Sequence, residues 1–102
     1  LESFGDDSYI ICRNGKWGVV DNQLQVIVPL KYNYVAPYWD KNELIIVEDR
    51  NTNPHQYGLV NKQGQEQVPL IYEGITDNSD GTYTVKRDGQ EYTIDKYGKR
   101  IN

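Results

Sequence analysis

The sequence predicts an all-β protein: tandem three-stranded antiparallel β-meander repeats packed side by side, with little or no helix. An internal repeat, two-residue hairpin turns and an aromatic-rich composition support this prediction. Nine Tyr, two Trp and one Phe occur among 102 residues, and such residues favour pleated, half-buried surfaces. The length fits a single domain over residues 1–102 with one modest core.

The internal repeat is clearest where the run WGVVD at residues 17–21 recurs as YGLVN at residues 57–61. The same shift relates Pro29 to Pro69, and a weaker third copy, TIDKYG, follows at residues 93–98. Self-similarity over 20 to 50 residues is typical of repeat architectures. The predicted repeats are 8–39, 43–77 and 82–102, the last incomplete.

The first turn of each repeat is predicted from dipeptides that favour left-handed backbone. Asn14-Gly15 and Asp88-Gly89 are the strongest signals for a two-residue hairpin, because both central residues of a type I′ turn need a positive φ. The segment at residues 82–85 is rich in residues that favour strands. The predicted strands are 8–13, 16–21, 82–87 and 90–95.

A second turn follows each hairpin, and a third strand follows that turn. Gly64 and Gly98 suit a left-handed position, whereas Leu24 in the first copy indicates a different turn. The third strands are predicted at 26–28 and 65–68, ended by Pro29 and Pro69, because proline cannot donate to a ladder. The only helix expected is one turn near 34–39 or 72–75.

The sequence shift that aligns the first copy with the second is shorter before the hairpin turn than after it. Ile10-Ile11 corresponds to Ile45-Ile46 at a shorter shift than the one that relates residues 17–21 to 57–61. We therefore expect an insert in the second copy at residues 49–55.

A meander of this size cannot bury its apolar face alone, so the copies must share a core by stacking. The predicted core is Ile11, Trp17, Val20, Ile27, Tyr32, Ile46, Leu59, Val60, Val68, Tyr72, Ile75, Val85 and Ile94.

Residues 14–21 (NGKWGVVD) followed by 26–32 (VIVPLKY) resemble the bacterial WG (KWG) repeat. The second copy departs by Tyr57 in place of Trp, and the third has Glu91 and Tyr92 at its Trp and Gly positions. The resemblance implies tandem β-meanders with a binding or scaffolding role and no shared catalytic residues. A cell-envelope or secreted setting is favoured over the cytoplasm.

Composition excludes several function classes. The net charge of −4 argues against nucleic-acid binding, which needs clustered Lys and Arg. No apolar stretch is long enough for a transmembrane helix, so we expect no membrane insertion. His55 and Cys12 are single residues of their types, so a zinc site lacks ligands, and Cys12 in its apolar run is expected to be buried.

Catalytic and metal motifs are also missing. Residues 49–53 have carboxylate and amide groups at alternate positions, and residues 77–81 are the other candidate, yet neither has the glutamate that completes a calcium loop, and both are interpreted as turns. No serine stands in a nucleophile motif. We expect a non-enzymatic protein without cofactor or metal.

Aromatic residues outside the repeat's core positions are the binding candidates. Residues 34–39 concentrate aromatics where the repeat needs few, and aromatics with a polar tip are favoured at interfaces. The alternative interpretation is packing between repeats. The expected partner is another protein or adjacent repeats of a longer chain, and the alternative partner is a glycan stacked on the same rings. The candidate binding residues are Tyr34, Tyr38, Trp39, His55 and Tyr97.

The C-terminal end is basic, although the rest of the chain is acidic. This end can be a solvated face, or it can contact an acidic neighbour or a further repeat. The basic residues are Lys86, Arg87, Lys96, Lys99 and Arg100.

Overall fold

The computed structural model describes residues 2–4, 8–51 and 55–101. Eleven strands and no helix occur among them, which confirms the all-β prediction. The strands are β1 (Glu2–Phe4), β2 (Ser8–Arg13), β3 (Lys16–Asp21), β4 (Val26–Tyr32), β5 (Tyr34–Val35), β6 (Leu44–Asp49), β7 (Gln56–Asn61), β8 (Glu66–Tyr72), β9 (Gly74–Asp77), β10 (Tyr83–Arg87) and β11 (Gln90–Ile94).

The strands form three antiparallel sheets in tandem. The first sheet has the order β1-β2-β3-β4, the second β5-β6-β7-β8, and the third β11-β10-β9. The first two sheets thus have four strands where the sequence predicted three. The additional strand of the second sheet is β5, which follows β4 after a bend at Asn33, and β9 follows β8 in the same way. We call β5 and β9 the crossing strands, because each connects one repeat to the next.

The helical turns expected near 34–39 and 72–75 are absent from the described residues, and that prediction was wrong. The backbone there stays extended because a neighbouring strand satisfies it. The Asn33 N–H donates to Glu48 O at 2.9 Å, and the Ala36 N–H donates to Ile46 O at 2.9 Å. Similarly, β9 pairs with β10.

Pro29 and Pro69 do not end their strands, contrary to prediction. Both β4 and β8 continue beyond the proline to a tyrosine. Each is the edge strand of its sheet, where the missing N–H of proline is tolerated. The ladder also shifts register there, from Val19↔Val28 to Trp17↔Tyr32, which is a bulge in the edge strand.

The bulge crosses directly over the glycine of the repeat. A Cβ atom on Gly18 would lie 2.6 Å from the carbonyl oxygen of Val28, and one on Gly58 would lie 2.6 Å from that of Val68. Real Cβ atoms do not approach a carbonyl oxygen so closely. Only glycine therefore allows the fourth strand to take this path.

Both predicted hairpin turns have the expected backbone. Asn14 and Gly15 have φ values of 54° and 76°, and Asp88 and Gly89 have 53° and 77°. These positive values at both central residues are those of type I′ turns.

The second turn is the same in all three copies, and the expectation that Leu24 marks a different turn was wrong. Leu24 has a φ of 63°, beside 80° for Gly64 and 86° for Gly98. The side chain before each turn explains the similarity: Asp21 Oδ1 accepts the N–H groups of Gln23 and Gln25, both at 2.9 Å. Asn61 and Asp95 bond the corresponding amides of their turns.

The second sheet is buried on both faces. Ile45, Val47 and Val60 share one apolar cluster with the first sheet. The alternate residues Leu44 and Leu59 share another with the third sheet.

The predicted core is confirmed in part. Buried as predicted are Val20, Tyr32, Leu59, Val60, Val68, Tyr72, Val85 and Ile94. Only half-buried are Ile11, Trp17, Ile27, Ile46 and Ile75. Core residues that the prediction missed are Ile10, Val19, Val28, Val35, Ala36, Leu44, Ile45, Val47 and Tyr83.

The predicted insert of the second copy is the connection between β6 and β7. Residues 52–54 of that insert lie outside the described residues.

Replacement of Gly58 by alanine should destabilise the fold by about 1–3 kcal/mol, because the added Cβ overpacks the bulge. Gly74→Ala is the matched control: no atom lies within 4 Å of its Cβ position, so its effect should stay within about 0.5 kcal/mol. Urea unfolding monitored by tryptophan fluorescence measures both. Equal stability of the two variants would contradict the role given to Gly58.

Candidate functional site

The five predicted binding residues lie in three separate places. Tyr34 and His55 lie beside Glu48, whereas Tyr38 and Trp39 lie on the loop of residues 36–43, which joins β5 to β6 within the second sheet. Tyr97 lies in the second turn of the third sheet. The structure therefore does not form one platform from all five.

Glu48 is the centre of the first place. Only 3 % of the Glu48 surface is exposed, and both of its carboxylate oxygens lie within hydrogen-bond distance of a nitrogen. Arg50 Nε donates to Oε1 at 3.0 Å, and His55 Nδ1 lies 3.0 Å from Oε2. Burial acts to raise the pKa of Glu48, but the hydrogen bonds from Tyr57, Arg50 and His55 lower that pKa below its ordinary value. His55 thus holds a buried carboxylate while its own side chain stays half exposed.

Tyr34 packs against the tryptophan of the repeat. The ring centroids of Trp17 and Tyr34 are 5.4 Å apart with a tilt of 45°, and the Arg50 guanidinium carbon lies 5.9 Å from the Tyr34 centroid. The two rings line an apolar cavity of about 180 Å³ together with Ile10 and Pro37. Tyr34 therefore contributes mainly to packing between the first and second sheets.

Trp39 is half-buried and anchors the 36–43 loop. Its Nε1–H donates to Ser8 Oγ at 2.8 Å, and its ring packs against the core shared by the first and second sheets. Lys62 Nζ lies 5.4 Å from the ring centroid, a distance typical of a cation–π contact.

Asp40 fixes the other side of the loop. Its Oδ1 accepts the N–H groups of Asn42 at 2.8 Å and of Leu44 at 3.0 Å. Its Oδ2 accepts the hydroxyl of buried Tyr83 on the third sheet, and Asn42 Nδ2 donates to the same hydroxyl at 3.0 Å. Burial, followed by the hydrogen bond to Asp40, raises the pKa of Tyr83. The loop is thus fixed to the third sheet as well as the first.

Tyr38, which directly precedes these two anchors, is exposed, with 42 % of its surface open to solvent. Its pKa is raised by partial burial and by the nearby carboxylates of Asp77 and Asp40. Tyr97 is more exposed, at 66 %, and its ring is flanked by Lys96 Nζ at 5.3 Å. Among the predicted tyrosine and tryptophan residues, these two are the exposed ones.

A family model described as WG containing repeat matches residues 17–52 and 57–90, which cover more than half of the chain. The protein belongs to the WG repeat family. Each match begins at the aromatic residue that precedes the bulge glycine, Trp17 in one and Tyr57 in the other. No curated protein and no solved structure matches the chain.

Cys12 of this WG repeat protein is exposed, so the prediction of a buried cysteine was wrong. Cys12 lies at the end of β2, opposite Trp17, where the strand leaves the core. Among the described residues, no three His, Cys, Asp or Glu side chains are grouped so as to hold a metal ion. No described helix is long and apolar enough to cross a membrane.

The loop of residues 77–81 uses its carboxylates on its own backbone. Asp77 Oδ1 accepts the Ser79 N–H at 2.9 Å, and Asp80 Oδ1 accepts the Thr82 N–H at 3.0 Å. The segment is a turn, as predicted from the sequence.

Sequence reasoning missed Glu48, Asp40 and Tyr83. A carboxylate that directly follows four apolar residues, as Glu48 does in β6, was a usable signal, because an acid in a buried strand needs partners. Asp40 two residues before Asn42 is typical of an Asx turn. The contact between Asp40 and Tyr83 joins distant parts of the chain and has no local signal.

Glu48→Gln should lower the free energy of unfolding by about 2 kcal/mol near pH 7, because it removes the negative charge and replaces one of the two acceptor oxygens by an NH2 donor. Since the folded pKa of Glu48 is lowered from its ordinary 4.5, its contribution is complete above about pH 4.5 and is lost as the pH falls through the lowered value. The gap between wild type and variant should therefore shrink in acid.

Glu43→Gln is the control for this experiment. Glu43 also pairs with a cation, Lys62 at 3.2 Å, but its side chain is 72 % exposed, so its loss should cost less than about 0.5 kcal/mol. Urea titrations from pH 3 to pH 7 measure both variants, with those limits chosen to span the expected change. A Glu48→Gln effect that does not change with pH would refute the assignment.

Proposed function

We propose that this WG repeat protein is a non-catalytic module that captures another protein through Tyr38 and the 36–43 loop. The observation that supports the proposal is an exposed aromatic side chain, Tyr38, directly before two residues that are fixed to other sheets. Trp39 is bonded to Ser8 in the first sheet, and Asp40 is bonded to Tyr83 in the third. The loop therefore presents Tyr38 in one position.

Such a fixed loop favours binding. Ordering of loops and side chains is a large cost of association, so a contact that is already ordered binds more tightly for the same surface. Tyrosine is also among the residues that dominate binding energy in protein interfaces. Next to Tyr38, exposed Pro37 adds a further rigid apolar surface.

Glycan binding is a second candidate, and one observation favours it. The carboxylates of Asp77 and Asp40 both lie near enough to Tyr38 to raise its pKa. A ring flanked by carboxylate acceptors can stack on a sugar and accept its hydroxyl protons. We rank it second because Asp40 is already occupied by three donors within the protein.

Tyr38→Ala should weaken capture of the partner by about tenfold or more, since an aromatic hot spot contributes about 2 kcal/mol. Tyr38 is exposed, so the melting temperature should change little. Leu24→Ala, which truncates another exposed side chain in the first sheet, is the matched control and should leave capture intact.

Quantitative pulldown from labelled lysate, followed by affinity measurement with the purified partner, provides the test. Retained affinity in a folded Tyr38→Ala protein would overturn the proposal. A parallel glycan array, with signals that depend on Tyr38 and no captured protein, would establish the second candidate instead. Trp39→Ala is unsuitable because it removes the loop anchor and should lower stability.

A further inference from the structure

The cavity between the first sheet and β5 has walls formed by rings. Trp17, Tyr34 and Pro37 line it together with Ile10 and Val35, and its volume is about 180 Å³. Ile10 and Val35 are buried, whereas Pro37 is exposed and the two aromatic residues are half-buried. All five described lining residues are uncharged. The cavity is therefore an apolar pocket that combines buried aliphatic side chains with rings that reach the surface.

Two hydrogen-bond donors belong to the ring walls. Trp17 carries an indole N–H and Tyr34 carries a hydroxyl, and neither group bonds another residue that the structure describes. No buried side-chain nitrogen or oxygen of the described residues lacks a partner, so both groups are accessible from outside. The indole N–H can only donate. A ligand that supplies acceptors to these walls, and needs few acceptors in return, fits the pocket best.

A proline-rich segment of a protein has this chemistry. Proline has no backbone N–H, and the carbonyl groups of a polyproline II helix form no bonds within the helix, so they remain available as acceptors. Such a helix is ordered before it binds, and it docks on aromatic-lined grooves. Ring walls, buried aliphatic residues and two donors therefore indicate proline residues as the occupant.

The surface next to the pocket is acidic. Tyr38 directly follows Pro37, and partial burial and then the charge of nearby Asp77 raise the pKa of Tyr38. Asp77 forms no ion pair with a residue that the structure describes, so a cation of the ligand can pair with it and contact the Tyr38 ring. Arg50 lies 5.9 Å from the Tyr34 centroid, but its charge is paired with Glu48 at 3.0 Å. Charge complementarity thus adds a basic residue to the expected ligand.

We propose that the pocket binds a proline-rich segment of a partner protein, and that a lysine or arginine beside the prolines lies against Tyr38 and Asp77. The Trp17 indole and the Tyr34 hydroxyl donate to carbonyl groups of the segment. This proposal rests on the proposed role of Tyr38 in protein capture and gives the partner a defined chemistry. It also assigns binding to Tyr34 and Pro37, which can be changed while Tyr38 is kept.

A fluorescein-labelled oligoproline peptide with an arginine at each end tests the site by fluorescence anisotropy. We expect saturable binding that weakens with salt, because the arginine contact lies at the surface. Tyr34→Phe keeps the ring and removes the hydroxyl, so it should weaken binding about fivefold, the effect of one neutral hydrogen bond. Pro37→Ala removes one wall and should weaken binding about threefold. Asp77→Asn keeps the acceptor of its turn but removes the charge, and should also weaken binding about threefold.

Tyr97→Phe and Asp88→Asn are the matched controls. Each makes the same chemical change at an exposed residue in a turn of the third sheet, outside the pocket lining, and should leave the affinity unchanged. A peptide with alanine in place of every proline should bind about tenfold more weakly, because it is not ordered before it binds. Circular dichroism establishes that each variant is folded.

The single cysteine of the sequence reports where the peptide lies. Cys12 is exposed and stands opposite Trp17. It also lies two residues from Ile10 along β2, so its side chain is on the same face of the strand as that lining residue. Saturating oligoproline peptide should therefore slow the reaction of Cys12 with a thiol reagent, whereas the alanine peptide should not.

A wild-type protein that does not bind the oligoproline peptide would overturn the proposal, even where Tyr38→Ala abolishes capture of a partner. So would equal affinity of wild type and the folded Tyr34→Phe and Pro37→Ala proteins for that peptide. Protection of Cys12 by indole without any peptide binding would also overturn it, since the pocket would then take small molecules. Peptide binding that depends on Tyr34 and Pro37 supports the proposal even if Tyr38→Ala leaves capture from lysate unchanged, so the two proposals can fail separately.

Discussion

The close approach of a strand to a glycine is the constraint on which the other features depend. At Gly18 and Gly58 the fourth strand passes where a Cβ atom would meet a carbonyl oxygen at 2.6 Å. The resulting bulge redirects the strand, which then bends and joins the next sheet. Without this path β5 and β9 would not reach their sheets, and the repeats would be linked only by loops. The glycine of the repeat therefore determines how one repeat is joined to the next.

The crossing strands also determine where polar side chains are buried. The first and third sheets cover the two faces of the second sheet, and β5 pairs with β6 so that Glu48 lies opposite Tyr34. Its carboxylate then needs donors, which Arg50, His55 and Tyr57 supply. The order of the repeats along the chain determines how the sheets pack, and this packing buries Glu48 and its donors as a charged cluster beside the insert. The 36–43 loop is held in the same way, by donors and acceptors from two different sheets.

The sequence predicted the features that depend on local sterics. The Asn14-Gly15 turn follows from the φ values that each residue type tolerates, and the repeat follows from direct comparison. The sequence aligned Ile10 with Ile45, but the residue equivalent to Ile10 is Ile46. Ile10 pairs with Val19, and Ile46 pairs with Leu59, the repeat position equivalent to Val19. A strand that is apolar at every position has no period-two signal to fix its register. The anchors of Trp39 and Asp40 could not be predicted, because Ser8 and Tyr83 are distant in sequence.

Leu24 has a consequence for how separate molecules can associate. The turn of the second sheet rests on β4, so that a Cβ atom on Gly64 would lie 2.6 Å from Ile27 O. This contact joins two unlike surfaces, and unlike surfaces repeated between molecules produce open-ended filaments. In the first sheet the equivalent turn position is Leu24, whose side chain fills the space that a neighbour's carbonyl would need. Leu24 therefore prevents another molecule from docking on this turn through the close contact that the Gly64 turn makes with β4.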